Sequence, residues 1–246
     1  MSRFLLVHGA FHGAWCWDST VTALRARGHE AQAVDLPGSG EDRTPVAEVS
    51  LERYAERVCQ ALRASAEPAV LVGHSMGGVA ITQAAARCPA AISALVYVTA
   101  FLPGNGQSLV DLTQLPEGAG DGVQANMVVD GDPPVAVMPR EAAQAVFFED
   151  CDEEVTARAL RQIGPQPLVP FLTPVELPDG GLALPRFYVL AGRDRAIPPA
   201  LQRRMAEQGG ATVLAELDSG HSPFLSHPDE LVAALLRAAE AAGTAA

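Results

Sequence analysis

The segment Val70-Leu71-Val72-Gly73-His74-Ser75-Met76-Gly77 constrains the fold of this chain more than any other. Val70-Leu71-Val72 reads as a buried strand, and Gly77–Arg87, ended by Pro89, reads as a helix. Ser75 therefore stands in a strand-to-helix turn of the pattern G-x-S-x-G. Such a turn forces its central residue into a strained backbone conformation, and only small residues such as Gly73 and Gly77 let the neighbouring backbones pass closely. The Ser75 hydroxyl is presented above the sheet, at the N-terminus of a helix whose dipole favours developing negative charge. The pattern alone also arises in chance glycine-rich turns. Its place between strand and helix gives it weight.

The rest of the chain repeats the same rhythm. Phe4–Val7, Glu30–Asp35, Val70–Val72 and Ala94–Thr99 read as strands, separated by helices at Trp17–Arg27, Leu51–Ala64 and Gly77–Arg87. Gly28 stops the first helix and Ser50 caps the second. This alternation predicts an α/β fold, a mostly parallel sheet with helices on both faces. From Pro103 to about Gly181 the rhythm breaks. The hydrophobic arms Ala125–Val129 and Val135–Met138 around Asp130-Gly131 look like a hairpin. Pro139 starts a helix carrying Phe147 and Phe148, and Asp152 caps another over Glu153–Ile163. The rhythm resumes with a strand at Phe187–Ala191, a helix at Pro199–Gln208, a strand at Thr212–Leu217 and a last helix from Asp229 to about Ala242. The expected organisation is a core of residues 1–102 and 182–246 with a small cap inserted at 103–181. Such a cap would lie over the sheet's carboxyl edge, where open α/β sheets bind ligands.

Composition narrows the chemistry. All 17 basic residues are arginine, and none of the 246 residues is lysine. Forty-three alanines with many Gly, Pro and Arg point to a GC-rich genome as the cause. Whatever the cause, Schiff-base nucleophiles, lysine general bases and the P-loop lysine are excluded. A net charge of −12 with dispersed arginines argues against nucleic-acid partners. Cys16, Cys59, Cys88 and Cys151 form no CxxC pair and read as reduced thiols rather than a disulfide frame or a metal site. The apolar start Phe4–Val7 gives way to His8-Gly9 too early for a signal peptide, and no run approaches the roughly 20 apolar residues of a membrane span. A cytoplasmic protein with no membrane partner is expected.

A serine hydroxyl needs a base. His221, in Asp218-Ser219-Gly220-His221-Ser222-Pro223 after the last strand, is the candidate. The base needs a carboxylate to fix its tautomer, and Asp194 stands just past the strand Phe187–Ala191. Rival residues have simpler readings. His74 reads as packed and pointing away from Ser75, Asp218 as a turn residue, His227 as a helix entrance and His29 as exposed. An oxyanion hole needs two backbone N–H groups aimed at one spot. Met76, after the nucleophile, supplies one; the loop His8-Gly9-Ala10-Phe11-His12-Gly13-Ala14-Trp15 supplies the other, best from Ala10. The side chains of His8, His12 and Trp15 read as loop packing.

These segments, together with Asp35-Leu36-Pro37-Gly38-Ser39-Gly40, Gly73-His74-Ser75-Met76-Gly77-Gly78, Asp194-Arg195-Ala196-Ile197-Pro198 and Gly220-His221-Ser222-Pro223, resemble the α/β-hydrolase group of plant methyl esterases, hydroxynitrile lyases and bacterial esterases. The resemblance covers the whole chain in order. It implies an α/β-hydrolase fold, a triad of Ser75, Asp194 and His221, an oxyanion hole from Ala10 and Met76, and an apolar pocket under the cap lined by Phe11, Phe101 and Ser222. It implies no metal and no cofactor. The similar lyases carry a lysine directly after the histidine and a threonine after the first-loop histidine; here those positions are Ser222 and Gly9, so the resemblance sides with the esterases.

The expected function is hydrolysis of a carboxylic ester of a small, largely apolar substrate through an acyl-enzyme. Oriented nucleophile, base and hole could lower the barrier by on the order of 10 kcal/mol. Two alternatives stay open. One is a cyclase, lactonase or lyase tailoring a natural-product intermediate; the other is a small-molecule receptor on the same fold. Phe147, Phe148, Phe171 and Leu172 either shape an apolar site or pack the cap onto the core, with packing favoured. A symmetric homodimer is common for such folds, although no residue pattern shows one.

Overall fold

A computed structural model describes residues 1–244. Its strands are β1 (Arg3–Val7), β2 (Glu30–Val34), β3 (Ala69–Ser75), β4 (Ile92–Ala100), β5 (Val128–Asp130), β6 (Val135–Val137), β7 (Gln166–Pro167), β8 (Arg186–Ala191) and β9 (Thr212–Leu217). Its helices are α1 (Asp18–Ala26), α2 (Leu51–Arg63), α3 (Gly77–Arg87), α4 (Leu109–Thr113), α5 (Gly122–Asn126), α6 (Arg140–Phe147), α7 (Glu153–Ala159), α8 (Val169–Leu172), α9 (Pro199–Gln208), α10 (Pro223–Ser226) and α11 (Pro228–Thr244).

Among the described residues, six strands form one sheet in the order β2-β1-β3-β4-β8-β9, and every pair is parallel. Because strand side chains alternate, the apolar runs feed two cores. Leu5, Val7, Leu71, Leu95, Tyr97 and Leu190 pack on the face covered by α2, α3 and α9. Phe4, Leu6, Val72, Val96, Val98 and Val189 pack on the other, under α1 and α11. A sheet buried on both faces has no polar stripe, which is why its strands read as continuous apolar runs. The chain leaves β1 for β2 on one side and returns to β3 on the other. This reversal opens a crevice between the loops that follow β1 and β3, where sheets of this kind bind ligands.

Between β4 and β8 the chain builds α4 to α8 and a small antiparallel sheet in the order β5-β6-β7. This insertion packs onto the loop after β1 through Phe147, Phe148, Met138, Leu160 and Phe11. Its details depart from the sequence expectation. The first hairpin arm is shorter than Ala125–Val129. Asp121 Oδ1 accepts the Val123 and Gln124 amides and caps α5, which takes residues through Asn126. The helix capped by Asp152 ends at Ala159, because Arg161 and Gln162 turn back onto Arg158 and Ala159 in three-residue turns.

Two further corrections concern single residues. Cys59 and Cys88 are bonded, with Cα atoms 6.0 Å apart. They are 29 residues apart in sequence, and only the packing of α2 beside the end of α3 brings them together. Cys16 and Cys151 are free. His29 is half-buried rather than exposed, accepting the Ser2 amide at 3.3 Å and packing edge-on to Phe4. Among the described residues no helix is long and apolar enough to cross a membrane.

Candidate active site

The turn after β3 has the strain its sequence predicts. Ser75 sits at φ +53°, a left-handed conformation costly for a residue with a side chain. The glycines around it meet backbone rather than empty space. A Cβ on Gly77 would lie 2.6 Å from the His8 carbonyl oxygen, and one on Gly73 would lie 2.8 Å from Gly77. A Cβ on Gly78 would fall well inside contact with the Phe101 carbonyl oxygen. The glycines thus let α3 start against the ends of β1 and β4. Gly78→Ala is expected to cost about 1–3 kcal/mol, as overpacking against fixed atoms does. The urea midpoint should fall at unchanged slope.

His221 and Asp194 meet behind this turn. His221 Nδ1–H donates to Asp194 Oδ2 at 2.8 Å, and both side chains are almost fully buried. That bond fixes the tautomer and leaves Nε2 as the unprotonated nitrogen of the neutral ring. The carboxylate is itself held. Asp194 Oδ1 accepts the Ala196 and Ile197 amides at 2.7 and 2.9 Å. Asp194 Oδ2 also accepts Gln202 Nε2 at 3.0 Å and the Thr99 hydroxyl. Gln202 is fully buried and spans the loop, accepting the Ala191 amide and donating to the Ile197 carbonyl. Neither Thr99 nor Gln202 had a motif to announce it. Thr99 is one polar residue in an apolar strand and Gln202 one of several polar residues on α9, and only the fold aims them at Asp194.

His74 lies beside the site without entering it. Its Nε2–H donates to the His221 carbonyl at 2.9 Å, and its ring centroid is 4.6 Å from that of His221. Asp218 is exposed and pairs with Arg193, and His227 directly precedes α11, as their positions suggested. The loop after β1 holds two more imidazoles. His8 Nε2 accepts the Leu36 amide while Nδ1–H donates to the Gly9 carbonyl. His12 Nδ1–H donates to the Ala10 carbonyl at 2.8 Å and the ring stacks on Trp15. These two side chains therefore bond the loop's backbone rather than merely fill space. Burial pushes His8, His12 and His74 below the usual imidazole range, His12 to about 3. All three are neutral at pH 7 and add no cation beside His221.

A cavity of about 170 Å³ opens from Ser75. Ala10, Met76, Phe11, Phe101 and Ile197 of the core and Phe147 and Phe171 of the insertion line it. The Ala10 and Met76 amides make no hydrogen bond among the described residues. Ser222 does not line the cavity; it is fully buried beside His221. Of the four hydrophobic residues singled out in the insertion, Phe147 and Phe171 face the cavity, Phe148 is core, and Leu172 is 60% exposed. One acid interrupts the apolar wall. Asp121 lines the cavity and is only 7% exposed, and burial raises its carboxyl above the usual range. Asp121 is a residue that sequence reasoning did not single out.

Residues 4–234 match the alpha/beta hydrolase family. The chain is 31% identical to a pyrethroid hydrolase of Sphingobium wenxiniae over 98% of its own length and 89% of that protein's. It is 32% identical to putative methylesterase 13, chloroplastic, of Arabidopsis thaliana. There it covers 93% of itself but spans only about half, 54%, of the relative. The crystal structure of a pyrethroid hydrolase from Sphingobium faniae superposes with a TM-score of 0.89 at 29% identity, covering 98% of both chains.

Proposed function

The chain belongs to the alpha/beta hydrolase family, and we propose that it cleaves carboxylic esters of small, largely apolar acids through an acyl-enzyme on Ser75. The observation that carries this reading is one juxtaposition. Ser75, strained at φ +53°, opens onto an apolar cavity whose wall residue Phe147 packs against the buried His221–Asp194 pair, the two ring centroids 5.6 Å apart. The esterases among its relatives support it.

Ser75 Oγ attacks the ester carbonyl carbon, and its proton passes to His221 Nε2. Negative charge gathers on the carbonyl oxygen, where the Ala10 and Met76 N–H groups stabilise it. Asp194 stabilises the imidazolium. The intermediate collapses, the C–O bond to the alcohol breaks, and the alkoxide leaves with the proton from His221. Water then gives its proton to the same nitrogen and attacks the acyl carbon; the bond to Ser75 Oγ breaks, His221 returns the proton to that oxygen, and the acid is released. No step requires a metal or an organic cofactor.

The cavity wall implies selectivity on the acyl side. A neutral alkyl or aryl group gains by burial against Phe101, Phe147 and Phe171. A terminal carboxylate would lose its water and meet Asp121, and like-charge juxtaposition costs several kcal/mol. With p-nitrophenyl esters, butyrate and benzoate should exceed the succinate half-ester in kcat/KM by about tenfold or more, and Asp121→Asn should narrow the gap. An enzyme that turns over none of these esters yet is labelled stoichiometrically by a fluorophosphonate would point away from simple ester hydrolysis.

A further inference from the structure

The peptide between Ala10 and Phe11 is held at both ends by residues distant in sequence from each other. On one side the Ala10 carbonyl accepts His12 Nδ1–H. On the other the Phe11 amide donates to Oε1 of Gln166, at 3.4 Å. The Phe11 carbonyl in turn accepts the Gly164 amide at 2.9 Å. Phe11 needs such support, because it sits at φ +63°, where an aromatic residue is strained and relaxes if released. Gln166 belongs to β7 of the insertion and is fully buried. Its amide is oriented by what it donates to: Nε2 reaches the Tyr54 hydroxyl on α2 at 3.1 Å and the Pro167 carbonyl at 2.9 Å. Oε1 is thereby left to face Phe11.

We propose that Gln166 is a positioning residue for the oxyanion donor Ala10, so that the cap insertion sets transition-state geometry as well as covering the substrate. The inference rests on the reading of Ala10 as an oxyanion donor. The physical step is direct. Holding the Ala10–Phe11 peptide plane anchors one side of the φ and ψ of Ala10, the two torsions through which the neighbouring Gly9–Ala10 peptide and its N–H could turn away. The donor must lie 2.7–3.1 Å from an oxygen that carries full charge only in the transition state. A loosened plane therefore costs turnover rather than substrate binding.

Three variants test this beside Ser75→Ala. Gln166→Leu keeps the volume and loses both polar arms. Gln166→Glu, held in its protonated form by burial, keeps an acceptor for the Phe11 amide and an O–H that donates to the Pro167 carbonyl, while the Tyr54 hydroxyl can turn to donate. Gly164→Pro deletes the amide that holds the Phe11 carbonyl, at an exposed position where an added Cβ meets nothing within 4 Å, and Gly164→Ala controls for the added side chain. Gln166→Leu should lower kcat about tenfold with KM within about twofold, since a misaimed donor costs less than the 10²–10³ of a deleted one. Gly164→Pro should follow in the same direction, and Gln166→Glu should restore most of the loss. Wild-type kcat/KM in Gln166→Leu, or a loss taken wholly in KM, would overturn the inference. So would a Gln166→Glu enzyme as slow as Gln166→Leu. If Gln166→Leu does not fold, Gly164→Pro decides alone, a normal kcat overturning the proposal. Ser75→Ala turnover within about tenfold of wild type would instead refute the acyl-enzyme reading at Ser75, and with it the oxyanion role of Ala10 on which the inference rests.

Discussion

Ser75→Ala is expected to lower ester turnover by about 10⁴-fold or more, toward the residual rate that binding and an oxyanion hole alone sustain. Covalent labelling by a fluorophosphonate should vanish with it, while thermal stability should not fall. The last expectation follows from the geometry. Ser75 is at φ +53°, and its hydroxyl faces the cavity without a hydrogen bond among the described residues. Alanine therefore removes no stabilising contact. The measurement is a paired one, steady-state kinetics with mass spectrometry of the labelled protein. Label found on another serine, or turnover within about tenfold of wild type, would refute the assignment of the nucleophile.

Asp194→Asn should have the next largest effect, lowering kcat about 10⁴-fold through the wrong imidazole tautomer. The surroundings of Asp194 make the substitution especially unfavourable. Oδ1 faces two backbone N–H donors, and Oδ2 faces His221, Gln202 and Thr99. An amide has only one oxygen. Placed toward the backbone, its NH₂ confronts His221 Nδ1 and forces the proton onto Nε2, the atom that accepts one from Ser75 in the proposed mechanism. Placed toward His221, the NH₂ confronts the Ala196 and Ile197 amides, and the loop loses stability. The variant should therefore lose activity at an unchanged KM and, in the second orientation, also lose stability. Proton NMR of the ring nitrogens would report the tautomer directly. A kcat within tenfold of wild type would remove Asp194 from the proposed triad.

Much of this arrangement was legible in the sequence because its signals are local. The strand, the glycines and the helix start that surround Ser75 are contiguous, and their backbone requirements follow from sterics alone. The same holds for the core strands, whose unbroken apolar runs say that both sheet faces are covered. His221 and Asp194 could be placed because each follows a core strand closely enough to stand at the carboxyl edge. The insertion was harder to read. Its elements are short, several beginning or ending at a Gly, Pro or Asp, and their limits depend on competing caps such as that of Asp121 on α5. Ser222 shows the limit of neighbourhood in sequence. It adjoins His221 yet turns into the core rather than the cavity.

The sequence by itself determined the parallel α/β core, the strained serine turn and the placing of Ser75, Asp194 and His221 in chain order just past core strands. These depend on period, turn sterics and position relative to strand ends, all written within a few neighbouring residues. Tertiary structure alone decided which residues meet across long separations. It bonded Cys59 to Cys88, brought Thr99 and Gln202 onto Asp194, turned His12 into a donor for the Ala10 carbonyl, and set Gln166 against Phe11. A hydrogen bond needs its partners within about 3.5 Å and correctly aimed. No periodicity along the chain encodes such a distance between residues that only the packed fold brings together.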